Sequence, residues 1–409
     1  MIAFASLLAA TFALPVPGRA CTTGVVSGKA TVDGRPILWK NRDTAKRDNQ
    51  VVLLQGAKFR YLGVVDAGSR GSIWMGVNEA GFCIENSVVR DLPGGNKSGP
   101  GNGPFMKRAL ATCATVEEFE ELLESTNDNG RTTKSNFGVI DAQGGAAIFE
   151  ASHQAYKKFD ANDPETAPHG YVVRSNFSMT GPSGRSLENG KTPADIYSGD
   201  RYLRADALFA EAARDETSDF RYVVRNCCRD MADGDGEPYC RTVNGSADGL
   251  LPDAINTAGT ICRRSTVSAA VFHGVKPGEN PLLTTMWVML GDPAFSAAVP
   301  CWVGAEAVAE PLLGGRRSSL CTLAIELRDA NYADKDNVET GRLTEIWERL
   351  WPVEDELFDE TAEVLERWRR RMPAPEEMRR HHESAAARVH DALSEVRGGV
   401  LEPAAAAGR

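Results

Sequence analysis

Cys21 stands directly after an apolar, proline-terminated leader and opens the run Cys21-Thr22-Thr23-Gly24-Val25-Val26. If the chain is cut after Ala20, that cysteine becomes the first residue and carries a free α-amino group beside its thiol. Nucleophile and general base then share one residue. The thiolate is the attacking species, and an amine with an ordinary pKa near ~8 takes the thiol proton around neutral pH. Such a site also needs an acid to hold the amine and donors for the oxyanion of a tetrahedral intermediate. A second apolar run, residues 36–39, continues into Lys40-Asn41-Arg42-Asp43. Between the two runs lies Asp33-Gly34, a hairpin signal that would return Lys40 and Asp43 to the new terminus. For Asp43 the plainer alternative is a salt bridge at the hairpin end.

The leader over residues 2–14 is almost wholly apolar and ends in Pro15-Val16-Pro17-Gly18-Arg19-Ala20. Gly18 and Ala20 fit the small-x-small rule of signal-peptide cleavage, although no basic residue precedes the apolar run. A buried N-terminal helix is one alternative, which Pro15 and Pro17 would end abruptly. A lipidated cysteine is another, which Gly18 and Arg19 suit poorly. Residues 1–20 therefore read as a signal peptide, and the mature chain as secreted or periplasmic. Cysteine usage points the same way: beside Cys21 there are Cys83, Cys113, Cys227, Cys228, Cys240, Cys262, Cys301 and Cys321, an even set suited to disulfides outside the cytoplasm. No CxxC pair or paired-histidine spacing suggests zinc.

The 409 residues call for one large domain with an appendage, or two domains. Apolar residues at 42% and charged residues at 25% are ordinary globular values. A net charge of −10 argues against nucleic acid or an anionic membrane surface as partner, and no apolar run is long enough for a membrane span.

Short β-prone segments over 50–54, 61–66, 72–78 and 82–89 are punctuated by turn residues. Residues 94–104 form a glycine-rich loop without phosphate-cradle spacing, a surface loop or a lid. Helices follow over 104–113 and 115–125, the second capped by Thr115, then strands over 136–141, 146–150 and 171–175. Helices are expected over 199–214 and 217–231, and strands over 265–273, 282–290 and 294–302. Strands, helices, then strands again make an α+β fold. Beyond residue 336, Leu343, Ile346, Trp347, Leu350, Leu357, Val364, Leu365 and Trp368 recur at helical spacing, and 376–396 is a second amphipathic helix. His381 and His382 point to different helix faces and read as solvated surface rather than a metal pair. The chain thus divides into a leader 1–20, a main domain 21–330, a helical extension 331–397 and a disordered tail 398–409.

The Cys-Thr-Thr start and Lys40-Asn41-Arg42-Asp43 resemble the cysteine N-terminal-nucleophile hydrolases of the choloylglycine hydrolase and isopenicillin-N acyltransferase group. Gly76-Val77-Asn78-Glu79-Ala80-Gly81, Asn86, Arg174-Ser175-Asn176 and Arg201-Tyr202-Leu203-Arg204 extend the likeness to about Trp302. The resemblance implies a four-layer αββα sandwich, here with a C-terminal helical extension. It implies Cys21 as nucleophile, Asp43 orienting the α-amino group, Asn86 and Asn176 serving the oxyanion and substrate carbonyl, and Arg201 supporting the charge network. The family usually has Arg where Lys40 stands, and lysine lacks the planar bidentate pairing, so the basic role is open between Lys40 and Arg42. Asn86 sits two residues earlier after its turn than in bile-salt hydrolases. Asn86 and Asn176 read alternatively as turn formers, and Arg201 as a local partner of Asp200 or Asp206.

The expected activity is hydrolysis of a linear, non-peptide carbon–nitrogen amide bond in a small-molecule acyl amide, through a Cys21 thioester and without a cofactor. An acyltransferase, an N-terminal-cysteine dipeptidase and a non-catalytic exported binding protein are the alternatives.

Overall fold

Residues 20–94, 98–237, 252–315 and 317–401 are described by the computed structural model of this chain. The leader before Ala20, Cys240 and residues 402–409 lie outside them. In chain order the strands are β1 (Ala20–Val26), β2 (Ile37–Asp43), β3 (Asn49–Gln55), β4 (Arg60–Asp66), β5 (Met75–Asn78), β6 (Cys83–Val88), β7 (Ser135–Ile140), β8 (Ala146–Ala151), β9 (Tyr156–Asp160), β10 (Tyr171–Arg174), β11 (Ala254–Asn256), β12 (Thr266–His273), β13 (Thr285–Leu290), β14 (Val299–Cys301) and β15 (Asn337–Glu339). The helices are α1 (Asn102–Thr112), α2 (Val116–Glu124), α3 (Pro182–Glu188), α4 (Gly199–Arg214), the single turn α5 (Phe220–Tyr222), α6 (Ser319–Asn331), α7 (Thr340–Arg370) and α8 (Pro375–Leu401).

Two antiparallel sheets face each other. One has the order β10-β1-β2-β12-β13-β14, the other is the meander β3-β4-β5-β6-β7-β8-β9, and β11 pairs with β15 in a separate ribbon. Side chains alternate across a strand, so each sheet buries one set inward and one outward. In β1 and β2, Val25 and Leu38 join the core between the sheets, while Val26, Ile37 and Trp39 pack outward with Ala205, Leu208 and Phe209 of α4. On the other sheet, Phe82, Phe137 and Phe149 pack outward with Phe105 of α1 and Phe119 of α2. Phe119 is the hub, with ring centroids 5.3 to 6.0 Å from four other phenylalanines. The result is helix, sheet, sheet, helix: the expected four-layer α+β sandwich.

Local rules explain several boundaries. Thr115 caps α2 by accepting from Glu118 N at 3.1 Å, while Glu118 reaches back to Ala114 N at 2.6 Å. Gly34 takes a positive φ of 75° in the β1–β2 connection, where Asp33-Gly34 signals the turn. The helix expected over 217–231 is only α5 followed by one wide turn, with Cys228 N bonded to Val223 O at 2.9 Å. The strand expected over 294–302 shrinks to β14, because Asp292 caps a tight turn at Pro293–Phe295 first.

The C-terminal helices share the main core. Leu343, Ile346, Trp347 and Leu350 of α7 and Val389, Leu393 and Val396 of α8 pack with inter-sheet residues and with α6. Glu354, fully buried, accepts from Arg229 at 2.7 and 2.9 Å and from Ala298 N at 2.7 Å. His382 is a correction to the surface reading. It is buried, its Nε2 accepts from Ala309 N at 2.9 Å, and its Nδ1 bonds Pro300 O at 2.8 Å. His381 lies half-buried against Trp302 and Trp368. The helix they share packs against α7 and β14, which takes His382 out of water and leaves His381 at the edge. Disulfides are also absent among the described residues. Cys83, Cys262, Cys301 and Cys321 are scattered through the inter-sheet core, while Cys113 and Cys228 belong to the two outer ones. Burial pushes all six thiols above their ordinary range.

Candidate active site

The site is built by register. In the β1–β2 ladder Ala20 opposes Asp43, Cys21 opposes Arg42 and Thr23 opposes Lys40. On the other edge of β1, Thr23 opposes Arg174 at the end of β10, so two residues further Asn176 comes level with Cys21. The contact is direct: Cys21 N donates to Asn176 Oδ1 at 2.9 Å. Asn176 is fully buried and held on three sides. Its Nδ2 donates to Val88 O at 2.8 Å, its backbone N donates to Ser198 Oγ at 2.9 Å, and its Oδ1 also accepts from Arg201 Nη2 at 2.7 Å.

Arg201 enters from the first turn of α4. Its Nη1 donates to Cys21 O at 2.7 Å and to Thr22 Oγ1 at 2.8 Å. Burial pulls its pKa down to about 10, which leaves it charged at neutral pH. The turn that aims it is strained, since Ser198 sits at φ 67°. Its partners are Cys21, Thr22 and Asn176, rather than the local acids Asp200 or Asp206.

Asp43 is fully engaged on the neighbouring strand. Its Oδ2 accepts from Arg263 Nε at 2.8 Å and Nη2 at 2.6 Å, and its Oδ1 from Thr266 Oγ1 at 2.8 Å. It thus lies level with Ala20, in an ion pair. Lys40 and Arg42 point between the sheets toward different partners. Lys40 Nζ donates to Trp74 O at 2.8 Å and Asn86 Oδ1 at 2.9 Å, just where β5–β6 pairing stops at Met75 and Glu85. Asn86 Nδ2 in turn donates to Ser135 Oγ at 2.8 Å. Arg42 bonds Asp66 at 2.6 Å and Asn49 at 2.5 Å. Burial lowers the pKa of Lys40, opposed by Cys21 and Glu85 nearby.

Of the six candidate residues, Cys21, Asn176 and Arg201 form one hydrogen-bonded unit. Asp43 adjoins it through Ala20, and Lys40 with Asn86 forms a second unit across the sheet interface. Sequence reading missed Arg263, whose basic pair with Arg264 precedes a strand that only the fold sets beside β2. It also missed Glu85, an acid on the inward face of β6 with 0% exposure. Burial pushes the Glu85 carboxyl up to about 8.

Clefts open at this end of the sandwich. One of about 400 Å³ is lined by Ala20, Thr44, Tyr197, Arg263 and Ser265. Another, about 520 Å³, is lined by Trp74, Val88, Lys134, Gly101 and the first residues of α1. A larger cleft of about 710 Å³ lies at the far end of the hairpin, between residues 29–32 and 161–170.

No protein-family model matches the chain, and neither does any curated protein. Among solved structures, it is similar to a variant of conjugated bile acid hydrolase from Clostridium perfringens, at 15% identity over 72% of this chain and 94% of that one, TM-score 0.44. It is similar to a Caenorhabditis elegans N-acylethanolamine-hydrolyzing acid amidase ortholog, at 13% over 62% and 92%, TM-score 0.38. It is also similar to penicillin V acylase from Agrobacterium tumefaciens, at 13% over 66% and 82%, TM-score 0.36. These three are N-terminal-nucleophile hydrolases. The functional reading rests on the surroundings of Cys21. Among the described residues no helix is long and apolar enough to cross a membrane.

Proposed function

We propose that the chain is an exported N-terminal-nucleophile amidase that cleaves a linear amide bond in a small acyl amide, with Cys21 as nucleophile. The observation that carries this is the bond from Cys21 N to Asn176 Oδ1, on an oxygen that Arg201 also holds. Once the bond between Ala20 and Cys21 is cut, the same nitrogen is a primary amine. Asn176 Oδ1 can only accept, so the amine donates to it and keeps its lone pair for the thiol proton. Arg201 disfavours the ammonium form, while Asp43, which would favour it, is neutralised by Arg263. An amine so placed is a general base near neutral pH.

In the proposed reaction the α-amine takes the thiol proton and the thiolate attacks the amide carbonyl. Asn86 and Asn176 each keep one amide proton beyond the bonds described above, and these would meet the oxyanion. Collapse breaks the carbon–nitrogen bond, and the α-ammonium returns its proton to the departing amine. Water, deprotonated by the same amine, then hydrolyses the thioester and releases the acid. Lys40 anchors Asn86, and Arg201 with Asn176 anchors the amine.

The test is N-terminal sequencing and intact mass of the exported protein, before and after a thiol-reactive acyl probe. The expected result is a chain starting at Cys21 with one acyl group added, absent from Cys21→Ala. A mature protein starting elsewhere would overturn the reading.

A further inference from the structure

Glu85 lies between the sheets directly beneath the Cys21 strand. Its Oε1 accepts from Thr23 Oγ1 and from Gly138 N, the latter at 3.1 Å, and its Oε2 has no partner among the described residues. The fold makes room for this carboxyl, because a Cβ on Gly138 would collide with Oε1. Thr23 Oγ1 also lies 2.8 Å from Trp39 O.

The burial of this carboxyl bears on its protonation state. The Thr23 hydroxyl has a single proton, which it can aim at Glu85 Oε1, because Trp39 lies in a strand paired on both edges. Oε2 is the oxygen left over. An ionised Glu85 would bury a charge on it at 0% exposure, a cost that the protonated acid avoids.

We propose that Glu85 is a positioning residue that works as a neutral acid, accepting from Thr23 to hold β1 beneath Cys21 and leaving Lys40 to grip Asn86. The titratable neighbours on the facing elements are few. β1 offers Cys21, and β2 offers Lys40 and Arg42, the latter tied to Asp66. β8 offers Glu150, tied to Arg174, and the flanking Met75 and Gly138 carry no charge. The upward shift of the Glu85 pKa has the same cause, burial of the carboxyl. When Glu85 ionises, Lys40 is drawn from Asn86 toward the new anion.

The catalytic half of this proposal rests on Cys21 being the nucleophile; the protonation half does not. The experiment therefore has two readouts on the mature protein and on Glu85→Gln, whose amide oxygen can still accept from Thr23 and which cannot ionise. The infrared difference between the two should contain a protonated-carboxyl stretch at pH 7 that fades near pH 8. The wild-type kcat should fall over the same alkaline range, and in Glu85→Gln that limb should move up by about one pH unit or more, or vanish. No carboxyl band at pH 7, or an unmoved limb in Glu85→Gln, overturns the proposal. Wild-type protein without turnover on any acyl amide would sink the hydrolase reading, and the infrared band would still decide Glu85.

Discussion

Arg201 Nη1 lies 2.7 Å from the carbonyl oxygen of Cys21, the residue to which the nucleophile is assigned. The same guanidinium reaches Thr22 and Asn176, so one buried cation ties β1 to the residue that accepts from Cys21 N. Its fork geometry matters here, since three acceptors in different directions are served by two nitrogens.

Replacing Arg201 should therefore cripple the site with little loss of fold. Arg201→Ala is expected to lower kcat/KM by about a hundredfold or more, the scale of losing charged hydrogen bonds worth roughly 3 kcal/mol. Arg201→Lys should recover little of it, because an ammonium cannot span Cys21 O and Asn176 Oδ1 together. Steady-state kinetics beside circular dichroism would check this, and a fully active lysine variant would contradict it.

Asn176→Asp keeps the shape of the side chain and adds a negative charge at the amine. That charge favours the ammonium form, so the acid limb of kcat/KM should shift to higher pH by about one unit. A pH–rate profile measures it. An unshifted limb would mean that Asn176 does not contact the amine.

His382 makes stability depend on mild acid. Burial, opposed by the bond to Pro300, lowers its pKa to about 4, well below its value in an unfolded chain. The unfolded state therefore binds more protons between about pH 6.5 and 4, and the stability contributed above pH 6.5 is lost as pH falls through that window. The loss amounts to roughly 3 kcal/mol at its full extent. Urea unfolding at pH 7 and pH 5 should show it, with a smaller difference in His382→Gln.

Glu354 ties α7 to the rest of the molecule through Arg229, with Arg225 at 3.0 Å as a second partner. Glu354→Ala leaves the buried Arg229 guanidinium without its carboxylate, while Arg225 keeps Asp355, and should cost about 3–5 kcal/mol. Replacing the Glu354–Arg229 pair by two apolar residues should cost much less. Chemical denaturation of the single and double variants separates these outcomes.

The hairpin, the cap at Thr115 and helix α4 over Gly199–Arg214 were legible because each depends on neighbours in sequence. β9 went unread because Tyr156–Asp160 is a half-exposed edge strand without clear alternation. α6 was hidden too, because Leu320, Cys321, Ala324, Ile325 and Leu327 leave no single apolar stripe on a helix buried on most sides. His382 looked like surface for the opposite reason, lying in a charged stretch whose partners are distant in sequence.

By itself the sequence singled out the candidate residues: a cysteine after a cleavable-looking leader, an acid ending the paired run, and asparagines and an arginine at positions that match the family it resembles. Hairpin register then placed Asp43 level with Ala20, since strand pairing is local. Only the tertiary structure decided that Asp43 is taken by Arg263, that Asn176 and Arg201 close on Cys21, and that Glu85 lies beneath it. Those contacts join segments 155 and 180 residues apart, and no local pattern encodes a partner that only the stacking of two sheets brings near.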